Sequence, residues 1–145
     1  MSAYTSTEVE QAPRPLISSK LEAPVPRRRV SRRELLELCV GQPRKLMLVR
    51  APAGWGKSTL LADWHAFESE TRSFAWVALD ADDNDPVRFW TYLIEALRTL
   101  DPGVGEVSLP MLRAPRVSVV GDVLPALCNE QIGRASCRER VYVLV

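Results

Sequence analysis

Gly54, Gly56, Lys57, Ser58 and Thr59 fall together in LVRAPAGWGKSTLL, residues 48–61. Glycine lacks a Cβ and adopts backbone angles that other residues avoid, so two of them let a chain turn sharply. The lysine directly after the turn supplies a cation, and the two hydroxyls supply oxygen ligands. These are the parts of a phosphate site, in which backbone N–H groups surround the anion, the lysine reaches the β and γ oxygens and a hydroxyl holds Mg2+. The standard spacing is G-x-x-x-x-G-K-[ST]; here it runs from Ala51 to Ser58, with Ala51 in place of the first glycine. Alanine fits that position if its φ is negative. Ala53, Gly54, Trp55, Gly56, Lys57, Ser58 and Thr59 are therefore assigned to nucleotide binding, with Ser58 as the Mg2+ ligand and Thr59 on an α-phosphate oxygen. Trp55 is expected to shield the turn or pack on a neighbour rather than stack on adenine.

An ordinary glycine-rich turn with a chance lysine would share this composition, so the flanking elements decide the reading. Residues 45–50 (KLMLVR) form a short continuous apolar run, as expected of a strand covered on both faces in a parallel sheet. From Lys57 onward, Leu60, Leu61, Trp64 and Phe67 recur at the helical period. Strand, glycine turn and helix are the context a phosphate loop needs, and a helix N-terminus adds unpaired N–H groups and partial positive charge.

The remaining elements follow in order. Ser31 with Glu34 is a capping-box pattern, and Leu35, Leu36, Leu38 and Cys39 fit one face of a short helix ending near Gly41. Residues 73–79 (SFAWVAL) read as a second buried strand. Asp85 and Pro86 make an N-cap and first helical position, and Phe89, Trp90, Leu93, Ile94 and Leu97 form an apolar stripe along a helix over 86–100. Pro102, Gly103, Gly105, Pro110 and Pro115 mark a connection, and residues 117–130 are expected to form a last helix disturbed by Gly121 and Pro125. His65 is expected to be structural or solvent-facing.

The acids of LDADDND, residues 79–85, allow two readings. An aspartate after an apolar strand is how a Walker B motif holds Mg2+ through water, which would make Asp80 functional. A polar turn and the cap of the next helix call for the same residue types without chemistry.

Composition narrows the class. With 19 Lys plus Arg against 18 Asp plus Glu in 145 residues, no global field marks a nucleic-acid binder. RRRVSRR, residues 27–33, is either a local anion or nucleic-acid contact or a solvated segment flanking the fold. No apolar run approaches the roughly 20 residues that cross a bilayer, and the N-terminus lacks a signal peptide's apolar core, so the expected address is cytoplasmic with no membrane partner. Cys39, Cys128 and Cys137 form no close pair and are expected to be reduced, with Cys39 filling core. Residues 1–30, with Pro13, Pro15, Pro24 and Pro26, read as a flexible arm and residues 31–130 as one α/β unit.

SRRELLELC, LMLVRAPAGWGKSTLLADW and FAWVALDADDNDPVRFWTYLIEAL, in that order over about residues 20–130, resemble the start of the ATP-binding domain of the large LuxR-type transcriptional regulators related to the maltose-regulon activator. These are a branch of the STAND nucleotide switches, phosphate-loop NTPases. The resemblance implies an α/β fold with a parallel sheet and flanking helices, ATP and Mg2+ as cofactors, and Lys57 and Ser58 at the phosphates and the ion. It also implies that residues 29–35 lie near the adenine, and that alanine at position 51 is the habit of this branch. LDADDNDP becomes a family signature rather than the Walker B acids. Members of the family continue into a strand ending in paired acids, a winged-helix element, a superhelical sensor domain and a C-terminal DNA-binding helix-turn-helix. Residue 130 precedes the expected Walker B strand, so the chain is expected to be the N-terminal half of the domain: DNA contact only through a domain absent here, oligomerisation a property of the parent, no catalytic residue assigned and slow hydrolysis.

Residues 131–145 stand apart. IGRASCRERV, residues 132–141, resembles the conceptual translation of a sequencing-adapter oligonucleotide; the alternative is a divergent tail forming a short basic helix. An adapter-derived tail was never selected for a complementary surface and is expected not to pack. The competing functional class is a small phosphate-loop ATPase or kinase, which would need a positioned base and an acceptor site; an inert truncation product is compatible with either.

Overall fold

A computed structural model describes residues 15–25, 32–40 and 47–132, together with the backbone of 140–144. Its elements are α1 (Arg33–Val40), α2 (Lys57–His65), β1 (Ser73–Val77), α3 (Pro86–Arg98), α4 (Ser108–Met111), α5 (Leu124–Gln131) and β2 (Arg140–Leu144). Short 3-10 turns span Ser18–Leu21 and Ala81–Asn84, and a wide π turn over Val119–Val123 leads into α5.

β1 divides the core in two because successive residues of a strand point to opposite faces. Ala75 and Val77 join Tyr92, Ile94, Ala96 and Leu97 of α3, along with Val104, Leu109, Leu112, Val123 and Leu127. Trp76 faces the other way, into a cluster of Leu36 and Cys39 from α1 and Leu60, Leu61, Ala62 and Trp64 from α2. Helices therefore cover both faces of this strand. Trp64 is fixed within the second cluster: its ring meets Phe74 edge-on at 5.3 Å, and its indole N–H donates to Glu70 Oε2 at 2.7 Å. Glu70 also takes both arms of Arg72, which in turn donates to the Cys39 carbonyl at 3.3 Å and so ties the approach to β1 onto α1.

α3 starts as its sequence requires. The Asp85 side chain accepts from the Arg88 N–H at 2.8 Å, with Pro86 in the first turn. Its buried face differs from the expected stripe: Tyr92, Ile94, Ala96 and Leu97 are buried, while Phe89, Trp90 and Leu93 are half-buried. Tyr92 is covered by the N-terminal segment, which was expected to be a flexible arm. Residues 15–25 dock onto the core, where the Ile17 N–H donates to the Tyr92 hydroxyl at 3.0 Å and the Ala78 N–H to the Lys20 carbonyl at 2.8 Å. Ser31, Gly41 and Cys137 lie outside the described residues.

Two further expectations are corrected. Residues 47–50, the described part of the run expected as a buried strand, join no ladder: among the described residues the sheet consists of β1 and β2. Leu48 is 83% exposed, while Met47 and Val49 pack against the α1–α2 cluster. A strand covered on both faces needs neighbours in its sheet, and among the described residues none pairs with 47–50. The tail was expected not to pack, yet β2 pairs in parallel with β1, in register from Ser73 with Arg140 to Val77 with Leu144. An open strand edge presents unpaired N–H and C=O groups, and VYVL has the β-branched and aromatic composition that pairs with such an edge. The connection at 102–115 also contains α4, whose start is held by Glu130: its carboxylate accepts from the N–H groups of Gly105, Val107 and Ser108 and from the Ser108 hydroxyl.

Candidate phosphate-binding site

The loop from Ala51 to Gly56 makes two left-handed turns. The first is closed by the Trp55 N–H on the Pro52 carbonyl at 3.4 Å and has Gly54 at its third position with φ 80°, the angle a type II turn demands. The second is Gly56 itself, φ 75° and ψ 35°, which caps α2 without a side-chain hydrogen bond. Its carbonyl takes the Leu60 N–H at 2.9 Å and begins the helix. Ala51 is not among the residues with positive φ, which meets the condition for losing the first glycine.

The N–H groups at the start of α2 have no carbonyl one turn earlier to bond, so they remain donors at the loop. Lys57 folds back over the turn, its Nζ 2.8 Å from the Ala51 carbonyl and 3.0 Å from that of Pro52. Ser58 and Thr59 are half-buried beside it, and neither hydroxyl has a hydrogen-bond partner among the described residues. Ser58 is thus free to serve as the oxygen ligand that Mg2+ prefers. Ala53 and Gly54 are exposed. Trp55, expected to shield the turn or pack on a neighbour, is 69% exposed.

A second cation stands at the loop. The Arg32 guanidinium, just before α1, donates from Nη1 to the Gly56 carbonyl at 3.0 Å and from Nη2 to that of Trp55 at 3.4 Å. Of the segment 29–35, Arg32 is the residue that reaches the loop, while 29–31 lie outside the described residues. Its partners are 23 and 24 positions away in the chain, so sequence spacing gives no sign of the contact.

The acids after β1 are engaged elsewhere. Lys20 Nζ lies 2.7 Å from Asp80 Oδ2 and 2.6 Å from Asp83 Oδ2, and Arg88 Nε is 2.8 Å from Asp83 Oδ1. Both cations also face the Tyr92 ring, at 5.1 and 5.5 Å from its centre. Burial alone would raise the Asp83 carboxyl, but the hydrogen bonds from Lys20 and Arg88 outweigh it and hold the group well below the usual carboxylate range. Asp80 caps the following 3-10 turn, accepting from the Asp82 N–H at 3.0 Å. Of the two readings of LDADDND, the turn and cap is the one seen. His65 is exposed, 5.0 Å from the Phe74 ring, and Cys39 is buried in the α1–α2 cluster. Among the described residues no group of His, Cys, Asp and Glu side chains could hold a metal by itself, and no helix is long and apolar enough to cross a membrane.

With this geometry in view, comparison with known proteins is informative. Over 90 residues the chain is 40% identical to an HTH-type transcriptional regulator, MalT, of Yersinia enterocolitica and 42% identical to the MalT of Serratia proteamaculans. Over 79 residues it is 38% identical to the serine/threonine-protein kinase PknK of Mycobacterium tuberculosis. The chain is related to all three. The matched segments cover 61% of it for the regulators and 53% for the kinase, but only 10% and 7% of those proteins' own lengths. No family model and no solved structure matches it.

Proposed function

We propose that residues 51–59 bind the triphosphate of ATP with Mg2+, and that the chain is the phosphate-binding part of a nucleotide-switched transcriptional regulator built on an α/β phosphate-loop domain. One observation carries the reading: Gly54 and Gly56 both take left-handed angles and deliver Lys57, Ser58 and the free N–H groups of α2 to one end of the helix. An ordinary turn does not need two such residues followed at once by a lysine. Lys57 would exchange the Ala51 and Pro52 carbonyls for the β and γ oxygens. Ser58 would hold Mg2+, whose part is to neutralise the phosphates. Thr59 would donate to an α-phosphate oxygen, and the backbone donors would complete the cradle. The likeness to MalT supports the regulatory context, and any DNA-binding or sensing function would belong to the rest of such a protein, in the cell interior where its DNA lies.

The kinase in the name of the third relative gives no competing reading for these residues. The match covers 7% of that protein, so the activity in its name belongs to that protein and is not carried to residues 51–59.

The test is a calorimetric titration of the whole chain with MgATP. Wild type should bind saturably, and Lys57→Ala should lose affinity by about tenfold or more, as expected when a charge-assisted contact is removed. Equal affinities in the two proteins would overturn the reading.

A further inference from the structure

We propose that Arg32 is a positioning residue of the phosphate loop, acting from α1 on the peptide groups that carry the anion's donors; this rests on the loop binding phosphate. The argument begins with the planarity of the peptide bond. In a trans peptide the C=O of one residue and the N–H of the next point in opposite directions. A group that grips the carbonyl therefore sets the direction of the N–H behind it. Arg32 grips two successive carbonyls, those of Trp55 and Gly56. It thereby aims the N–H groups of Gly56 and Lys57 to the far side, where the helix N-terminus opens.

Lys57 does the same on the opposite arm of the loop. Its bonds to the Ala51 and Pro52 carbonyls set two peptides, of which the first has no N–H because Pro52 follows and the second carries that of Ala53. Lys57 must give up those bonds to reach a phosphate, whereas Arg32 need not. Arg32 is therefore the contact that keeps the donors in place while the ligand enters. Its planar fork suits two neighbouring carbonyls, a geometry that lysine cannot reproduce.

The position of the guanidinium gives a second reason for glycine at 56. A Cβ built there would lie 2.9 Å from Arg32 Nη2 and 3.3 Å from Nη1, so the arginine occupies the space a side chain would need. At Gly54 the same construction meets nothing within 4 Å. The clamp thus sits on the turn that begins the helix and leaves the outer turn open.

The experiment titrates whole-chain wild type, Arg32→Ala and Arg32→Lys with MgATP, inorganic tripolyphosphate and adenosine. Because Arg32 acts through the phosphate donors, Arg32→Ala should weaken ATP and tripolyphosphate by the same factor, about tenfold for the loss of charge-assisted bonds, and leave adenosine unchanged. Arg32→Lys should fall between. Circular dichroism melts of the three proteins should superimpose, since Arg32 is half-exposed and belongs to neither core cluster. A loss confined to ATP and adenosine would make Arg32 a base contact and overturn the assignment, as would unchanged affinities. A wild-type chain that binds neither ATP nor tripolyphosphate would instead overturn the phosphate-site reading, and this assignment with it.

Discussion

Replacing each loop glycine by alanine separates backbone strain from the contact with Arg32. Both residues have left-handed angles, φ 80° at Gly54 and 75° at Gly56. Holding an alanine there costs about 1–2 kcal/mol. The free loop can relax out of the strained angle, so the cost appears as a smaller binding-competent fraction and weaker apparent affinity. For Gly54→Ala, whose new methyl meets nothing, this predicts roughly a 5- to 30-fold loss for ATP. Gly56→Ala carries the same strain and also pushes Arg32 from its two carbonyls, adding about 1 kcal/mol once solvent screening of a half-exposed arginine is allowed for. Its loss should therefore reach roughly 30- to 150-fold. The two effects share a partner, so they should not add: in an Arg32→Ala background, Gly56→Ala should cost no more than Gly54→Ala does. Calorimetric titrations of the six proteins give the complete cycle. Equal losses at 54 and 56, or a Gly56→Ala loss that Arg32→Ala does not reduce, would refute the reasoning.

Asp83→Asn should lower thermal stability at neutral pH and flatten its acid dependence. The folded-state pKa of Asp83 lies below its unfolded value, so its contribution is complete above about pH 4 and is lost as pH falls through the folded value. The gap between the melting curves of wild type and variant should close below pH 4, and parallel curves would contradict this. Deleting residues 140–145 should lower the melting temperature by about 3 °C or more, because β1 then loses the strand on its edge; unchanged melting would show that the pairing adds nothing.

The parts of the fold legible in sequence are those whose determinants are local. Asp85 and Pro86 specify the start of α3 within four residues, and Gly54 and Gly56 specify the loop within three, so both could be read before any contact was known. Lys20 could not, since its partner Asp83 lies 63 positions away and a lysine among prolines has the composition of a solvated arm. Glu130 was equally silent, for it caps a helix 22 residues earlier. Residues 47–50, the described part of the apolar run, show the converse error: apolar composition reports that a segment is suited to a strand, but a strand also needs a ladder partner, and that is a property of the sheet.

Lys20 and Arg88 give Asp80 and Asp83 of LDADDNDP a mechanical part in the fold. Lys20 ties the N-terminal segment to the turn after β1, and Arg88 ties that turn to α3. The same N-terminal segment continues along α2, where Leu21, Ala23, Pro24 and Val25 face Ala62, His65 and Ala66 across an open cleft of about 400 Å³ that Phe74 and Trp76 also line. α2 is the helix whose first turn presents Lys57 and Ser58. A single run of residues, 15–25, therefore spans from the clasp on α3 to the flank of α2. For Asp80 to hold Mg2+, the ion would have to compete with Lys20 for its Oδ2, whereas Asp83, at 1% side-chain exposure, is held by both Lys20 and Arg88. Removing either cation from Asp83 would leave a buried charge short of a partner, which is strongly unfavourable. Asp83 is therefore the acid whose surroundings give it a part in holding the turn after β1 to its neighbours on both sides.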